Sequence, residues 1–302
     1  MPMELITVLA AEPALVVGAM AVLGLMVGSF LNVVIHRLPL MMEQDWDSEC
    51  RVLLDLPATA PAPAPLSLAR PRSRCPHCQA PIAAHENIPL LSFVVLGGRC
   101  RHCRAAISAR YPLIEALGGI LGASAAWHVG CAADALTPLW LLRALLTAVF
   151  GWSLLALAAI DFDTKLLPDS ITQPLMWLGI ASALTGLSAV SLPVAVVGAM
   201  AGYLSLWAVY WAFKLLTGKD GMGYGDFKLL AVLGAWLGWQ VLPAVILLSS
   251  ALGAMVGVGL LATGLVKRSE PIPFGPFLAL AGIIALHFRE ELLRLFSGGG
   301  GG

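Results

Sequence analysis

The chain has 302 residues, of which 59% are hydrophobic and only 12% charged, with a mean hydropathy of +0.85. That is more apolar surface than a water-soluble core of this length can hide, so a soluble enzyme is excluded and a membrane protein is expected. Basic and acidic residues balance at 18 each, which leaves no global basic field for nucleic acid and no acidic solvating tail.

In chain order, the first nine residues carry no Lys or Arg, and the apolar stretch after them is long and lacks an Ala-x-Ala-like exit. It reads as a permanent span and not a cleavable signal peptide. About 20 apolar residues cross a bilayer core. Eight segments approach that length, at 14–35, 112–129, 138–160, 171–187, 193–213, 227–241, 244–266 and 272–288. The sixth is short enough that neighbouring protein must satisfy its ends. The expected fold is therefore an all-α polytopic membrane protein of about eight transmembrane helices. Residues 1–36 form the first helix, 37–110 a small cytoplasmic domain, 111–297 a seven-helix membrane domain, and Gly298 to Gly302 a disordered glycine tail.

Lys and Arg collect in alternate loops. Nine Arg lie between Arg37 and Arg110, and Lys165, Lys214, Lys219, Lys228, Lys267 and Arg268 mark the later ones. The intervening loops at 130–137, 188–192 and 242–243 have no Lys or Arg, so the basic loops are expected in the cytoplasm and both termini in the periplasm. Arg289 and Arg294 break this scheme, but Glu290 and Glu291 adjoin them and the last segment can lie along the interface.

The loop at 37–110 opens with a Pro- and Ala-rich stretch at 57–71, which favours an extended linker. It then carries Cys75-Pro-His-Cys78 and Cys100-Arg-His-Cys103, two CxxC knuckles separated by 21 residues. That spacing closes one tetrahedral Cys₄ site, and four thiolates leave no open position, so a structural zinc is expected. A redox pair is the alternative, though no βαβ pattern surrounds the cysteines. His77 and His102 read as solvated or neighbouring groups, and Cys50 and Cys131 as lone thiols without a role.

Ionisable residues at a membrane edge are costly and mark function. Glu115 and Arg143 read as an ion pair or as side chains reaching for water. Asp169 follows Pro168 and precedes Ser170-Ile171-Thr172, the layout of a helix N-cap. Asp163 lies beside Lys165 as a surface charge or a neighbour of the site. Asp161 directly ends the apolar run 154–160. Asp226 closes Gly221-Met-Gly-Tyr-Gly-Asp226-Phe-Lys228, in which three glycines allow close backbone approach. Taken alone it could be an N-cap. Paired with Asp161 on one membrane face, it has the makings of a carboxylate dyad sharing a proton.

Gly-Tyr-Gly-Asp226 is similar to the GxGD motif of intramembrane aspartic proteases, and the chain resembles the type IV prepilin peptidases, the leader peptidases and N-methyltransferases of pilus and type II secretion systems. The resemblance rests on Gly28-Ser-Phe-Leu-Asn32 through Arg37-Leu-Pro39, the cysteine quartet, Glu86-Asn87-Ile88-Pro89-Leu90, and Arg110-Tyr111-Pro112 through Glu115. It continues through Asp161-Phe-Asp163 with Leu167-Pro168-Asp169, Gly221 to Lys228, and Pro271-Ile-Pro-Phe-Gly275-Pro276.

It implies cleavage of the basic leader of prepilins and pseudopilins after a Gly, on the cytoplasmic side of the inner membrane, followed by N-methylation of the new terminus with S-adenosylmethionine. Asp161 and Asp226 are the implied catalytic pair. Methyl transfer is assigned by resemblance to the cytoplasmic domain, with Glu86, Asn87, Gly97, Gly98 and Arg37 as candidates. Each has a plainer reading: a turn at Gly97-Gly98, a solvated loop at Glu86-Asn87, a topogenic anchor at Arg37.

Other chemistries fit less well. His85-Glu86-Asn-Ile-Pro89 has Pro where HExxH requires its second His, and Ser124 and Ser188 only approach GxSG. An ion- or proton-coupled transporter using Asp161 and Asp226 is the alternative from another class. It predicts acids at mid-membrane and two similar halves, and no internal repeat is found.

Overall fold

The computed structural model describes residues 13–56, 66–131, 138–264 and 272–296. The N-terminal stretch, most of the Pro- and Ala-rich linker, the loop at 132–137, Lys267 and Arg268 with Pro271, and the glycine tail lie outside the described residues. Ten α-helices are described: α1 (Pro13–Leu53), α2 (Leu91–Val95), α3 (Arg110–Cys131), α4 (Pro138–Thr164), α5 (Asp169–Leu184), α6 (Leu192–Thr217), α7 (Tyr224–Leu237), α8 (Leu242–Ala262), α9 (Gly275–His287) and α10 (Arg289–Phe296). No strand forms among the described residues; the β pairing there is limited to the bridges Arg74 with Pro81 and Arg99 with Ala106. Five helices, α1, α3, α4, α6 and α8, are long and apolar enough to cross a membrane, so the protein is all-α and multi-pass.

Several helices begin on Pro at their first or second position, among them α6, α8 and α9, where the missing N–H would have no helical partner. α6 ends at Gly218, whose φ of 70° reverses the chain.

The chain divides into two compact units, 1–137 and 138–302. In the first, α1 and α3 pack backbone to backbone. Gly24 and Gly28, one turn apart, face Gly118 and Glu115, and a Cβ on Gly28 would lie 2.7 Å from the Glu115 Cα. Small residues four apart are the usual means of such close approach in lipid, where dispersion replaces the hydrophobic effect. Asn32 Nδ2 donates to the Tyr111 carbonyl at 3.1 Å, tying the helices where the chain re-enters the membrane. The 41 residues of α1 span about 60 Å at roughly 1.5 Å each, twice a ~30 Å hydrocarbon core, so its acidic end beyond Leu40 projects clear of the bilayer.

In the second unit, α7 is the hub. Every residue from Leu229 to Leu237 is buried, the pattern of a helix enclosed on all sides. Gly198 and Gly202 of α6 lie against the Gly234 and Leu230 carbonyls, Gly179 of α5 against Trp236, and Gly282 of α9 against Leu233. Trp236 donates to the Leu175 carbonyl at 2.8 Å and stacks on Phe150 of α4 at 4.7 Å. At 14 residues α7 is too short to count among the five, and protein encloses it.

Candidate active site and metal centre

Asp161 stands in the last turn of α4 and Asp226 in the first turn of α7, and both are buried, at 5% and 8% exposed, the two buried acidic residues among those described. Asp161 Oδ2 accepts the Gly275 N–H at 2.9 Å. Gly275 opens α9, so the carboxylate occupies the anion position at a helix N-terminus. Gly is required there because a Cβ would stand 2.6 Å from Oδ2. Among the described residues no donor reaches the Asp226 carboxylate.

Asp226 is fixed from both sides. Two residues later, Lys228 Nζ bonds both carboxylate oxygens of Asp169, at 2.7 and 2.8 Å, joining the start of α7 to that of α5. The N-cap expected of Asp169 is corrected here: Pro168 holds the cap position, and the Asp169 side chain goes to Lys228. Asp226 is not an N-cap either, since Gly223 takes that place. On the other side, Tyr210 OH donates to Asp220 Oδ1 at 2.6 Å, and Lys214 Nζ donates to Tyr210 OH at 3.0 Å and meets Asp220 at 2.8 Å. The Lys214 bond holds the Asp220 carboxyl below its usual range, with the Tyr210 hydroxyl adding to it. The Tyr210 ring packs on Tyr224 at 5.4 Å and on Phe227 at 5.7 Å, the residues bracketing Asp226. Gly221 lies against Phe213, where a side chain would clash. The glycine-rich loop is thus clasped onto the end of α6.

Tyr210, Lys214, Asp220, Lys228 and Gly275 were not singled out by sequence reasoning as parts of the site. The i, i+4 spacing of Tyr210 and Lys214 was a visible signal; their pairing with Asp220 was not. Asp163 is exposed. The expected roles of Glu115 and Arg143 resolve locally: Glu115 Oε2 accepts the Leu90 N–H at 2.9 Å, and Arg143 donates to the Gly186 carbonyl at 2.8 Å.

In the first unit, the sulfurs of Cys75, Cys78, Cys100 and Cys103 all lie within 4.8 Å of one another, and Cys75 and Cys103 are 3.8 Å apart. A tetrahedron with ~2.3 Å zinc–sulfur bonds has edges of about 3.8 Å, so the quartet fits a metal ion. The knuckles repeat one geometry. Gln79 N–H bonds the Cys75 carbonyl at 2.9 Å and Arg104 N–H the Cys100 carbonyl at 3.0 Å, with Gln79 and Arg104 both left-handed at φ 58° and 60°. Amide groups of Cys78 and His77 draw the Cys75 thiol down to about 6, and those of Cys103 and His102 lower Cys100, while burial and the neighbouring thiols push Cys103 up to about 11. His77 and His102 are exposed and outside the cluster.

A cavity of about 300 Å³ lies between α1 and the first knuckle, lined by Arg37, Arg72, Ser73 and Asn87 with Val33 and Ile82. It brings Arg37 and Asn87 together. Arg37 is also held by the Ser67 and Leu68 carbonyls. Glu86 turns instead to the Ala83 N–H at 3.1 Å and to Arg101 at 3.3 Å. Gly97 and Gly98, at φ 59° and 66°, form the turn before the second knuckle and do not line the cavity.

Two family models match, the bacterial peptidase A24 N-terminal domain over residues 22–129 and the type IV leader peptidase family over residues 148–258. The chain belongs to the type IV leader peptidase family. Curated relatives named prepilin leader peptidase/N-methyltransferase run nearly its full length. That of Stutzerimonas stutzeri is 53% identical over 94% of both chains, and that of Aeromonas hydrophila 54% identical over 90% of this chain and 91% of its own. The Pseudomonas aeruginosa relative is 50% identical over 97% and 98%. No solved structure matches this member of the family.

Proposed function

We propose that this protein is a membrane aspartic endopeptidase that removes the basic leader of prepilins and pseudopilins after a Gly, and N-methylates the new terminus with S-adenosylmethionine. The observation that carries the peptidase reading is the pair of buried carboxylates, Asp161 and Asp226, at the ends of two helices, with Asp161 seated on the Gly275 N–H. Asp161, steadied by the Gly275 N–H, takes a proton from the attacking water. Asp226, with no donor of its own, holds the proton that polarises the scissile carbonyl and later passes to the departing amine. The clasp at Tyr210 and the Lys228–Asp169 pair keep Asp226 at that position.

The shorter helices α5, α7 and α9 complete eight crossings in this reading, their length deficit met by burial in protein. Lys165, Lys214, Lys219 and Lys228 gather near the aspartate-bearing helix ends, which favours a cytoplasmic active site in the inner membrane. That position also argues against a transport pathway, which would place its acids at depth.

Zinc is the proposed occupant of the Cys₄ cluster, with a structural role. S-adenosylmethionine supplies an electrophilic methyl group. Arg37, Arg72 and Asn87 would hold its polar groups against Val33 and Ile82, in a cavity at the small end of the range for ligand sites. The deciding experiment incubates membranes with a prepilin. Leader loss is expected with the wild type and is absent from Asp161→Asn and Asp226→Asn; unaltered cleavage in either variant refutes the dyad.

A further inference from the structure

Helix α2, between the two knuckles, is turned inside out. Phe93 points inward beneath Gly98, where a Cβ would meet its ring at 3.1 Å. Ser92 Oγ is also committed inward, accepting the Ile88 N–H at 2.9 Å and donating to the His85 carbonyl at 3.1 Å. This leaves Leu91, Val94 and Val95 on the outer face at 57%, 73% and 74% exposure, with Ile88 beside them at 46%. A solvated small domain does not gain from displaying four consecutive-turn aliphatic side chains.

Their position explains them. Leu90, the residue before α2, gives its N–H to Glu115, which stands five residues inside α3 and opposite Gly28 of the α1 span. Five residues of helix descend about 7.5 Å. The strip is therefore pinned at the level where α3 enters the bilayer. The first turn of α3 exposes Tyr111 and Leu113 at 48% and 56%, the kind of surface that a span shows to lipid.

Charge identifies the lipid. Residues 66–110 contain seven Arg and no Lys, against the single acid Glu86, and Arg101 is already paired with that Glu. Arg99 and Arg104 of the second knuckle are exposed.

We infer that α2 is an interfacial anchor, its Leu91, Val94 and Val95 seated at the headgroup–acyl boundary and the knuckle arginines taking the phosphates of anionic phospholipids. The domain is thereby drawn down onto the bilayer from which its two flanking helices emerge. This does not depend on the proposed chemistry.

The test uses the full-length protein in nanodiscs with Val94→benzoylphenylalanine, and Gln79→benzoylphenylalanine on the first knuckle as control, reading photoadducts by mass spectrometry. Lipid adducts are expected at position 94 and not at 79, and more in phosphatidylglycerol than in phosphatidylcholine. Arg99→Gln with Arg104→Gln reduces that preference roughly fivefold per arginine at constant metal content. Equal yields at 94 and 79, or no preference for the anionic lipid, overturn the proposal. So does replacement of the lipid adduct by a prepilin adduct when substrate is added, which would make the strip a protein-docking face.

Discussion

Gly275→Ala tests the site at its most constrained point. A Cβ on Gly275 would lie 2.6 Å from Asp161 Oδ2 and 3.0 Å from its Cγ. Ordinary contacts begin near ~3.5 Å, so the carboxylate must retreat by about 0.9 Å or α9 must move. α9 is not free to move, because Gly282 already packs against Leu233 on α7. A displacement of about 1 Å at reacting atoms costs on the order of 10²-fold, or ~2.7 kcal/mol at ~1.36 kcal/mol per tenfold. The assay is steady-state cleavage of a prepilin by purified protein, with kcat and KM resolved. The loss should fall on kcat with KM unchanged, since the substrate's remote contacts are untouched. Gly282→Ala separates catalysis from packing: the nearest atoms its Cβ meets belong to the Leu233 side chain and not to Asp161, so it should lower thermal stability and spare kcat. A folded Gly275→Ala variant with wild-type kcat would refute the proposed part of the Gly275 amide in placing Asp161.

Purified protein should contain about one zinc per chain by elemental analysis, lost in Cys75→Ser; a wild type that cleaves and methylates without metal would overturn the structural role of the quartet. Tyr210→Phe and Asp220→Asn, which open the clasp, should each lower kcat several-fold while Asp220→Glu recovers part of it, and unchanged kcat in both would show that the loop holds Asp226 unaided. Lys228→Met, which removes the tie to Asp169, should add to the Tyr210→Phe loss in the double variant; kinetics no worse than those of Tyr210→Phe would argue that one fixing point suffices. Arg72→Ala should weaken S-adenosylmethionine binding roughly tenfold by titration calorimetry, the loss typical of a charged hydrogen bond, with prepilin cleavage intact. Unaltered affinity would move the methyl donor away from the cavity.

The features legible in the sequence are those that chemistry ties to residue type and local spacing. Four cysteines in two CxxC pairs must meet if they hold one metal, and the structure brings their sulfurs together. Asp161 stood out as a carboxylate ending an apolar run, but its choice over Asp163 and Asp169 rested on the family motif; the structure buries Asp161 and leaves Asp163 exposed. The run of glycines marked Asp226, although what the glycines do was not legible: Gly221 admits the ring of Phe213, eight residues back, and Gly225 lies against Leu167, which is distant in sequence. Asp169 misled for a related reason. Its position after Pro168 has the form of a cap, but a cap and a long-range ion pair draw on the same carboxylate. The choice was made by Lys228, 59 positions away.

Span count shows the same limit. Hydropathy finds apolar segments whether they face lipid or protein, and of the eight it marks only five form helices long enough to cross a membrane among the described residues. α7 is apolar because it faces protein, and burial on every side frees it from the length a bilayer would impose. Enclosure by its neighbours buries the first turn of α7 as well, so Asp226 is shielded from solvent at a helix end, as Asp161 is at the last turn of α4. The short central helix and the buried carboxylate pair are on this view one feature. Lengthening α7 by a turn at its N-terminus would cost the site before it cost the fold.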